Sequence, residues 1–172
     1  MPTRSCGCAG TARDALGAAA AAAEIDADIL LTKTDTLPDV TARALARLAP
    51  SRIVVLGGEM AVSNRALERA AALVPSAQVD RLGGTNRYAT SALVARDAFG
   101  SADSAVVANA WAPADAMVGT QVAARHGAPL LLTSASCRSS AVATVYDWLG
   151  IELTRLAGGP GVLDWTAGST RC

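Results

Sequence analysis

The sequence predicts an α/β fold, a parallel sheet with helices on both faces, built from tandem repeats. Three observations predict it. Hydrophobic residues make up 51% of the 172-residue chain but aromatic residues only 3%. The core must therefore come from Ala, Val, Leu and Ile, which suits helices packed closely on a buried sheet. The apolar runs that read as strands, such as 52–57 and 129–133, are continuous rather than alternating. That is the mark of a sheet covered on both sides. Finally, segments recur at one offset. Asp14-Ala15-Leu16 returns as Asp115-Ala116-Met117, "ADILLT" (27–32) as "APLLLT" (128–133), and "VVLGGEMAVS" (54–63) as "RLAGGPGVLD" (155–164), each 101 residues on. Such self-similarity is the signature of repeated supersecondary units.

The elements follow in order. "MPTRSCGCA" at the start shows no strand pattern. Residues 12–24 read as an Ala-rich helix, 28–32 as a strand and 38–48 as a helix. Pro38 suits its first turn, where a missing N–H costs nothing. Asp39 adds negative charge at the same end. Strand 52–57, helix 63–73, strand 78–82 and helix 87–98 come next. Strand 104–109, helix 115–126, strand 129–133, helix 139–149 and strand 152–157 complete the series. Ser139 and Ser140 mark a helix start, and Pro50 and Gly150 end corresponding helices. Alternation of this kind builds right-handed β-α-β units. The first repeat spans residues 1–90 and lacks its first strand. The second spans 91–172 and is truncated at its C-terminal end.

Composition excludes some function classes. Lys and Arg number 15, as do Asp and Glu, so no basic field exists to hold nucleic acid. No apolar run reaches the ~20 residues of a membrane span. "ALGAAAAAA" (15–23), flanked by Arg13, Asp14, Glu24 and Asp26, reads as a helix and not as a signal peptide. The cysteines are Cys6, Cys8, Cys137 and Cys172. Zinc would need further ligands, and the only histidine is His126. Free thiols are the default, and a disulfide in an oxidising compartment leaves the pairing open. No metal and no cofactor is expected.

Several loops are candidates for function. Gly57-Gly58 and Gly158-Gly159 each follow a strand and precede a helix, where doubly wound folds bind ligands. Glycine there lets a ligand approach, and the next helix N-terminus attracts anions. A tight turn with positive φ accounts for the same residues. The full G-x-G-x-x-G pattern is absent. Asp14 and Asp115 stand at helix starts as caps, and Thr32 and Thr133 end strands, where a hydroxyl can bind a ligand or satisfy a turn, the turn being the favoured role. His126 ends a helix without a nucleophile beside it, and no G-x-S-x-G elbow exists. No catalytic residue is expected. Trp111, just after a strand, is the better ligand candidate among the tryptophans, while Trp148 on a helix packs.

"RLGGTNRYAT" (81–90) joins the last strand of one copy to the first helix of the next. Thr85 or Asn86 can cap that helix. Arg87 can pair with Asp14 or Asp115, and Tyr88 can pack its ring. Arg81, Gly83, Gly84 and Thr90 complete the junction. In the functional alternative, Arg81 and Arg87 clamp a phosphate or carboxylate.

"RLGGTNRYATSALVA" (81–95) resembles the R-L-x-G-x-x-R-Y-x-T-A signature of the cell-wall-binding repeat family, type 2. "RDAL" (13–16), "ADILLT" and "RIVVLGGEMAVS" (52–63) resemble its other blocks in order, and the second copy carries "DAM", "APLLLT" and "LAGGPGVLD". The resemblance implies a Rossmann-like or flavodoxin-like repeat, commonly found in threes as a trimer-like unit. It implies non-catalytic anchoring of surface or secreted proteins to anionic polysaccharides of Gram-positive walls, outside the cell. Homo-oligomerisation could restore a three-copy unit. The rival reading is an intracellular flavodoxin-like small-ligand binder or enzyme, which tight binding of a nucleotide or flavin would favour.

Overall fold

A computed structural model of the chain describes residues 5–9 and 12–172. In chain order the elements are β1 (Ser5–Ala9), α1 (Ala12–Glu24), β2 (Asp28–Leu31), α2 (Asp39–Leu48), β3 (Arg52–Leu56), α3 (Asn64–Leu73) and β4 (Gln78–Leu82). Then come α4 (Arg87–Ala98), β5 (Ser104–Asn109), α5 (Pro113–Arg125), β6 (Leu130–Thr133), α6 (Ser140–Leu149), β7 (Leu153–Ala157) and a 3-10 turn, Trp165–Gly168. The strands form two parallel sheets, ordered β2-β1-β3-β4 and β6-β5-β7. The α/β reading and the tandem repeat are both realised.

One expectation is corrected at the outset. Residues 5–9 form β1, inside the first sheet, with Cys6, Gly7 and Cys8 in register with Ile53, Val54 and Val55. The first repeat therefore has its first strand. "SCGCA" has little strand propensity of its own. Ladders to β2 on one side and β3 on the other override it.

Local chemistry sets the helix starts. The side chains of Ser63, Asn86 and Ser139 accept hydrogen bonds from the backbone N–H of Ala66, Ala89 and Val142. Pro38 occupies the N-cap position with φ −60° and ψ 147°, one residue before the first turn predicted for it. A second correction concerns Asp115. Helix α5 starts at Pro113 with Ala112 at the cap, so Asp115 lies inside the first turn and caps nothing. Its charge still suits that end. Asp14 falls at the third position of α1, and its side chain lies outside the described residues.

Burial divides the elements into layers. Helices α2 and α3 cover one face of the first sheet, enclosing Leu45, Ile53, Val55, Val62 and Ala66. Val54 and Leu56 point the other way, towards α1 and α4. On the second sheet, α5 covers Val106, Ala108, Leu130 and Leu132. Helices α4 and α6 cover Val107 and Leu131. Helix α1 touches α4, α5 and β6, so α1 and α4 form a layer shared between the repeats. Small residues allow it, since a Cβ on Gly17 would stand 3.3 Å from the Cβ of Ser91. The edge of β6 is protected there, because Leu132 N–H donates to the buried Ser91 hydroxyl at 3.1 Å.

The repeats share their loop wiring. Ser63 N–H donates to Thr34 O at 2.8 Å, and Asp164 N–H to Ala135 O at 2.7 Å. Thr32 donates to Thr36 O at 3.2 Å and Thr133 to Cys137 O, so both hydroxyls satisfy turns. After these loops the copies diverge. The first continues into α3 and β4. The second continues into the 3-10 turn and a tail bound by a Cys137–Cys172 disulfide. The free-thiol expectation is therefore corrected for this pair, which the tail brings together across 35 residues of sequence. The side chains of Cys6 and Cys8 lie outside the described residues.

A charged triad fastens the junction helix to the first sheet. Arg52 on β3 binds Asp80 on β4 at 2.7 Å and both carboxyl oxygens of Asp97, in the last turn of α4, at 2.7 and 2.8 Å. The hydrogen bond from Arg52, with a second from Gln78, holds the Asp80 carboxyl below its ordinary value of 3.8. A depressed carboxyl contributes stability above its unfolded pKa and loses it as pH falls through the folded one. Arg52→Gln is therefore expected to cost about 1–2 kcal/mol at neutral pH. Urea unfolding of both proteins at neutral pH and at about pH 2 checks this. The difference should shrink once the Asp80 carboxylate is protonated.

Candidate functional site

The candidate residues lie at the carboxyl ends of the strands, where the following helices begin. Gly57 and Gly158 adopt φ of 98° and 138°, so both need glycine for the backbone turn itself. Arg81 is held by the first loop. Its Nη1 donates to Gly57 O at 2.9 Å and its Nη2 to Asn64 Oδ1 at 3.2 Å. Gly57 N–H in turn donates to Leu82 O at 2.8 Å.

Gly83 and Gly84 are places of close approach. A Cβ on Gly83 would stand 2.8 Å from the Gly57–Gly58 peptide, and one on Gly84 would stand 2.5 Å from the Cβ of Ala89 and 2.7 Å from Thr90 N. Gly84 N–H donates to the Thr90 hydroxyl at 3.1 Å, and that hydroxyl donates to Asn86 O at 3.1 Å. The strand-to-helix turn is thus a closed hydrogen-bonded unit. Gly58 and Gly159 have open space around them.

Arg87 leaves this unit and lies across the repeat boundary. Its guanidinium carbon is 4.0 Å from the centroid of the Trp111 ring. Its Nη1 is buried and has no hydrogen-bond partner among the described residues. The pairing of Arg87 with Asp115 is corrected. Asp115 faces the second glycine loop instead, with Oδ2 3.2 Å from where a Gly158 Cβ would stand. The two guanidiniums predicted as a clamp take different partners, Arg81 the first loop and Arg87 the indole. Tyr88 is half-buried and packs against two core clusters.

Trp111 is 66% exposed. Asn109, at the end of β5, explains its position. Asn109 Oδ1 accepts from Trp111 N–H at 3.0 Å, and its Nδ2 donates to Val162 O at 2.6 Å. Sequence reasoning missed this residue. The available signal was a polar side chain at the end of a continuous apolar strand. It also passed over Trp165, which is 83% exposed. His126 is the C-cap of α5 and its side chain is exposed. Among the described residues no group of three His, Cys, Asp or Glu side chains could hold a metal ion, and no helix is long and apolar enough to cross a membrane.

Comparisons with known proteins agree with this layout. The family described as cell wall binding domain 2 (CWB2) matches residues 5–67 and 81–165. N-acetylmuramoyl-L-alanine amidase LytC of Bacillus subtilis (strain 168) is 34% identical over 153 residues, covering 89% of this chain and 30% of that protein. The amidase enhancer of the same organism is 35% identical over 120 residues, covering 70% of this chain and 16% of that protein. Among solved structures, Cwp6 from Clostridium difficile superposes with a TM-score of 0.84 at 28% identity, over 96% of this chain and 26% of Cwp6. Cwp8 from Clostridium difficile gives 0.77 at 27% identity, over 94% and 28%. The chain thus spans less than a third of each of these four proteins. The two matched segments cover most of the chain, which belongs to the cell wall binding domain 2 family.

Proposed function

We propose that this wall-binding module is non-catalytic, acts outside the cell, and holds an anionic polysaccharide of the Gram-positive wall through Arg87 and Trp111. The observation that carries the reading is the half-buried guanidinium laid on an exposed indole. Stacking holds the cation in place while its remaining N–H groups can meet a phosphate or carboxylate in forked geometry. Helices α4 and α5 begin beside it, and their N-terminal dipoles favour the same charge. No bond is made or broken in this reading. Binding follows from charge, stacking and displaced counterions. The amidase activity of LytC is not carried over, because the chain covers 30% of that protein. The Cys137–Cys172 bridge suits an oxidising compartment and supports an extracellular position. Trimer-like self-association is part of the same proposal.

Co-sedimentation with purified Gram-positive walls tests the reading, using intact walls and walls stripped of phosphate-linked polymers. Binding is expected to intact walls only. Arg87→Ala and Trp111→Ala should each weaken it by about tenfold or more, and Arg87→Lys should restore little, since an ammonium lacks the fork. Equal binding to stripped walls, or wild-type affinity in folded Arg87→Ala, would sink the proposal.

A further inference from the structure

The two glycine loops share a chain path, but only the first is filled. Around Gly57, Leu82 O accepts the N–H and Arg81 donates to the carbonyl. Around Gly158, neither the N–H nor the carbonyl makes a hydrogen bond among the described residues. Among the described residues no strand pairs with β7 on the side that β4 takes in the first sheet. The residues after the 3-10 turn do not fill the space. Cys172 is bonded to Cys137, and Arg138 and Arg171 form a parallel bridge, so the tail runs along the loop that precedes α6.

A groove of about 470 Å³ remains, lined by Leu156, Gly158, Pro160, Leu163, Asp164 and Trp165. Its chemistry is mixed in a particular way. Trp165, 83% exposed, offers a flat apolar ring. The Gly158 peptide offers one donor and one acceptor. Asp164 uses Oδ1 to accept from Thr166 N–H at 3.0 Å, and Oδ2 makes no hydrogen bond among the described residues. No cation lines the groove. A carboxylate without a cation disfavours an anionic ligand. An aromatic plane beside separate donors and acceptors matches a neutral polyol ring, and the volume falls within the range of small-ligand sites.

We infer that this groove is a saccharide subsite that takes one uncharged pyranose unit. The ring stacks on Trp165, and its hydroxyls meet the Gly158 peptide and the Asp164 carboxylate. The inference rests on the wall-binding reading for the class of its ligand, a polymer whose charged group lies at Arg87 and whose neutral sugar lies here. One scaffold links the two places, because Asn109 holds both Trp111 N–H and Val162 O in the loop that carries the groove. The first repeat has no counterpart. Asn64 stands where the second copy has Trp165, and it accepts a hydrogen bond from Arg81.

The test uses 15N-labelled protein with its disulfide intact, following the indole N–H signals of Trp111, Trp148 and Trp165. The probe is the tetramer of N-acetylglucosamine. A saturable shift of the Trp165 signal is expected, with Trp148 silent. Trp165→Ala should weaken probe affinity by about tenfold or more, by loss of stacking. Its side chain is exposed, so an unchanged melting temperature confirms folding. Arg87→Ala should keep probe binding while losing intact walls, which separates this inference from the wall-binding reading. Absence of a saturable shift overturns it. So does a shift confined to Trp111, or probe binding that survives Trp165→Ala. Concentration-dependent exchange protection of β7 amides without a sugar response would assign the groove to a strand of another copy, and would also overturn it.

Discussion

Gly84→Ala is expected to destabilise the protein by about 3 kcal/mol, and Gly84→Val by more. The added Cβ would stand 2.5 Å from the Cβ of Ala89, 2.7 Å from its carbonyl carbon and 2.7 Å from Thr90 N. Two of these atoms are helical backbone, which cannot rotate away. To make room, α4 must move off the strand end, and with it the bond from Gly84 N–H to the Thr90 hydroxyl. Helix α4 also protects the β6 edge and carries Arg87, so the damage reaches the second repeat. Chemical unfolding measures the cost. Gly58→Ala is the control, because nothing lies within 4 Å of the Cβ it would add. It should stay within about 0.5 kcal/mol of wild type. Equal effects at the two positions would mean that the junction is not packed as described.

Reduction of the Cys137–Cys172 bond should lower stability by about 3–4 kcal/mol, the loop-closure entropy of a 35-residue separation. Backbone bonds hold the tail as well, since Arg138 N–H donates to Thr170 O and Cys172 N–H to Arg138 O, both at 2.8 Å. The Arg171–Asp147 ion pair is mostly solvent-exposed, at 63% and 67%, and adds little. The tail does have work in the fold. Ala167 is fully buried, and a Cβ on Gly168 would stand 2.8 Å from Thr154. This segment therefore closes part of the second sheet where α3 closes the first. Melting curves with and without reductant, and of Cys172→Ser, give the magnitude. Amide exchange should quicken first in residues 164–172. No change on reduction would show that the bond does not carry the tail.

Much of the fold was legible because apolar periodicity and end chemistry are local. The start of α6 followed from Ser139, and that of α4 from Asn86. Strands β4 and β5 were legible to the residue. The first strand was not. Cys6, Gly7 and Cys8 become a strand only because β2 and β3 pair with them on either side. The start of α5 was placed late because Asp115 looks like a cap, whereas Pro113 fits the first turn and takes the helix back two residues. The junction motif was legible as a connection, since its glycines and arginines stand between a strand and a helix. The destination of Arg87 was not, because Trp111 is distant in sequence and an acid was the simpler partner to expect.

By itself the sequence determined the α/β class, the tandem repeat, the turn role of the strand-end threonines and the family to which the signature belongs. These depend on residue order within a few turns of chain, or on likeness between two stretches of it. The tertiary structure alone decided that Arg81 serves the first loop while Arg87 rests on an indole, that Cys137 meets Cys172, and that the second glycine loop lies open. Each of these depends on which distant segments meet, and packing of two sheets around the shared helices α1 and α4 sets those meetings.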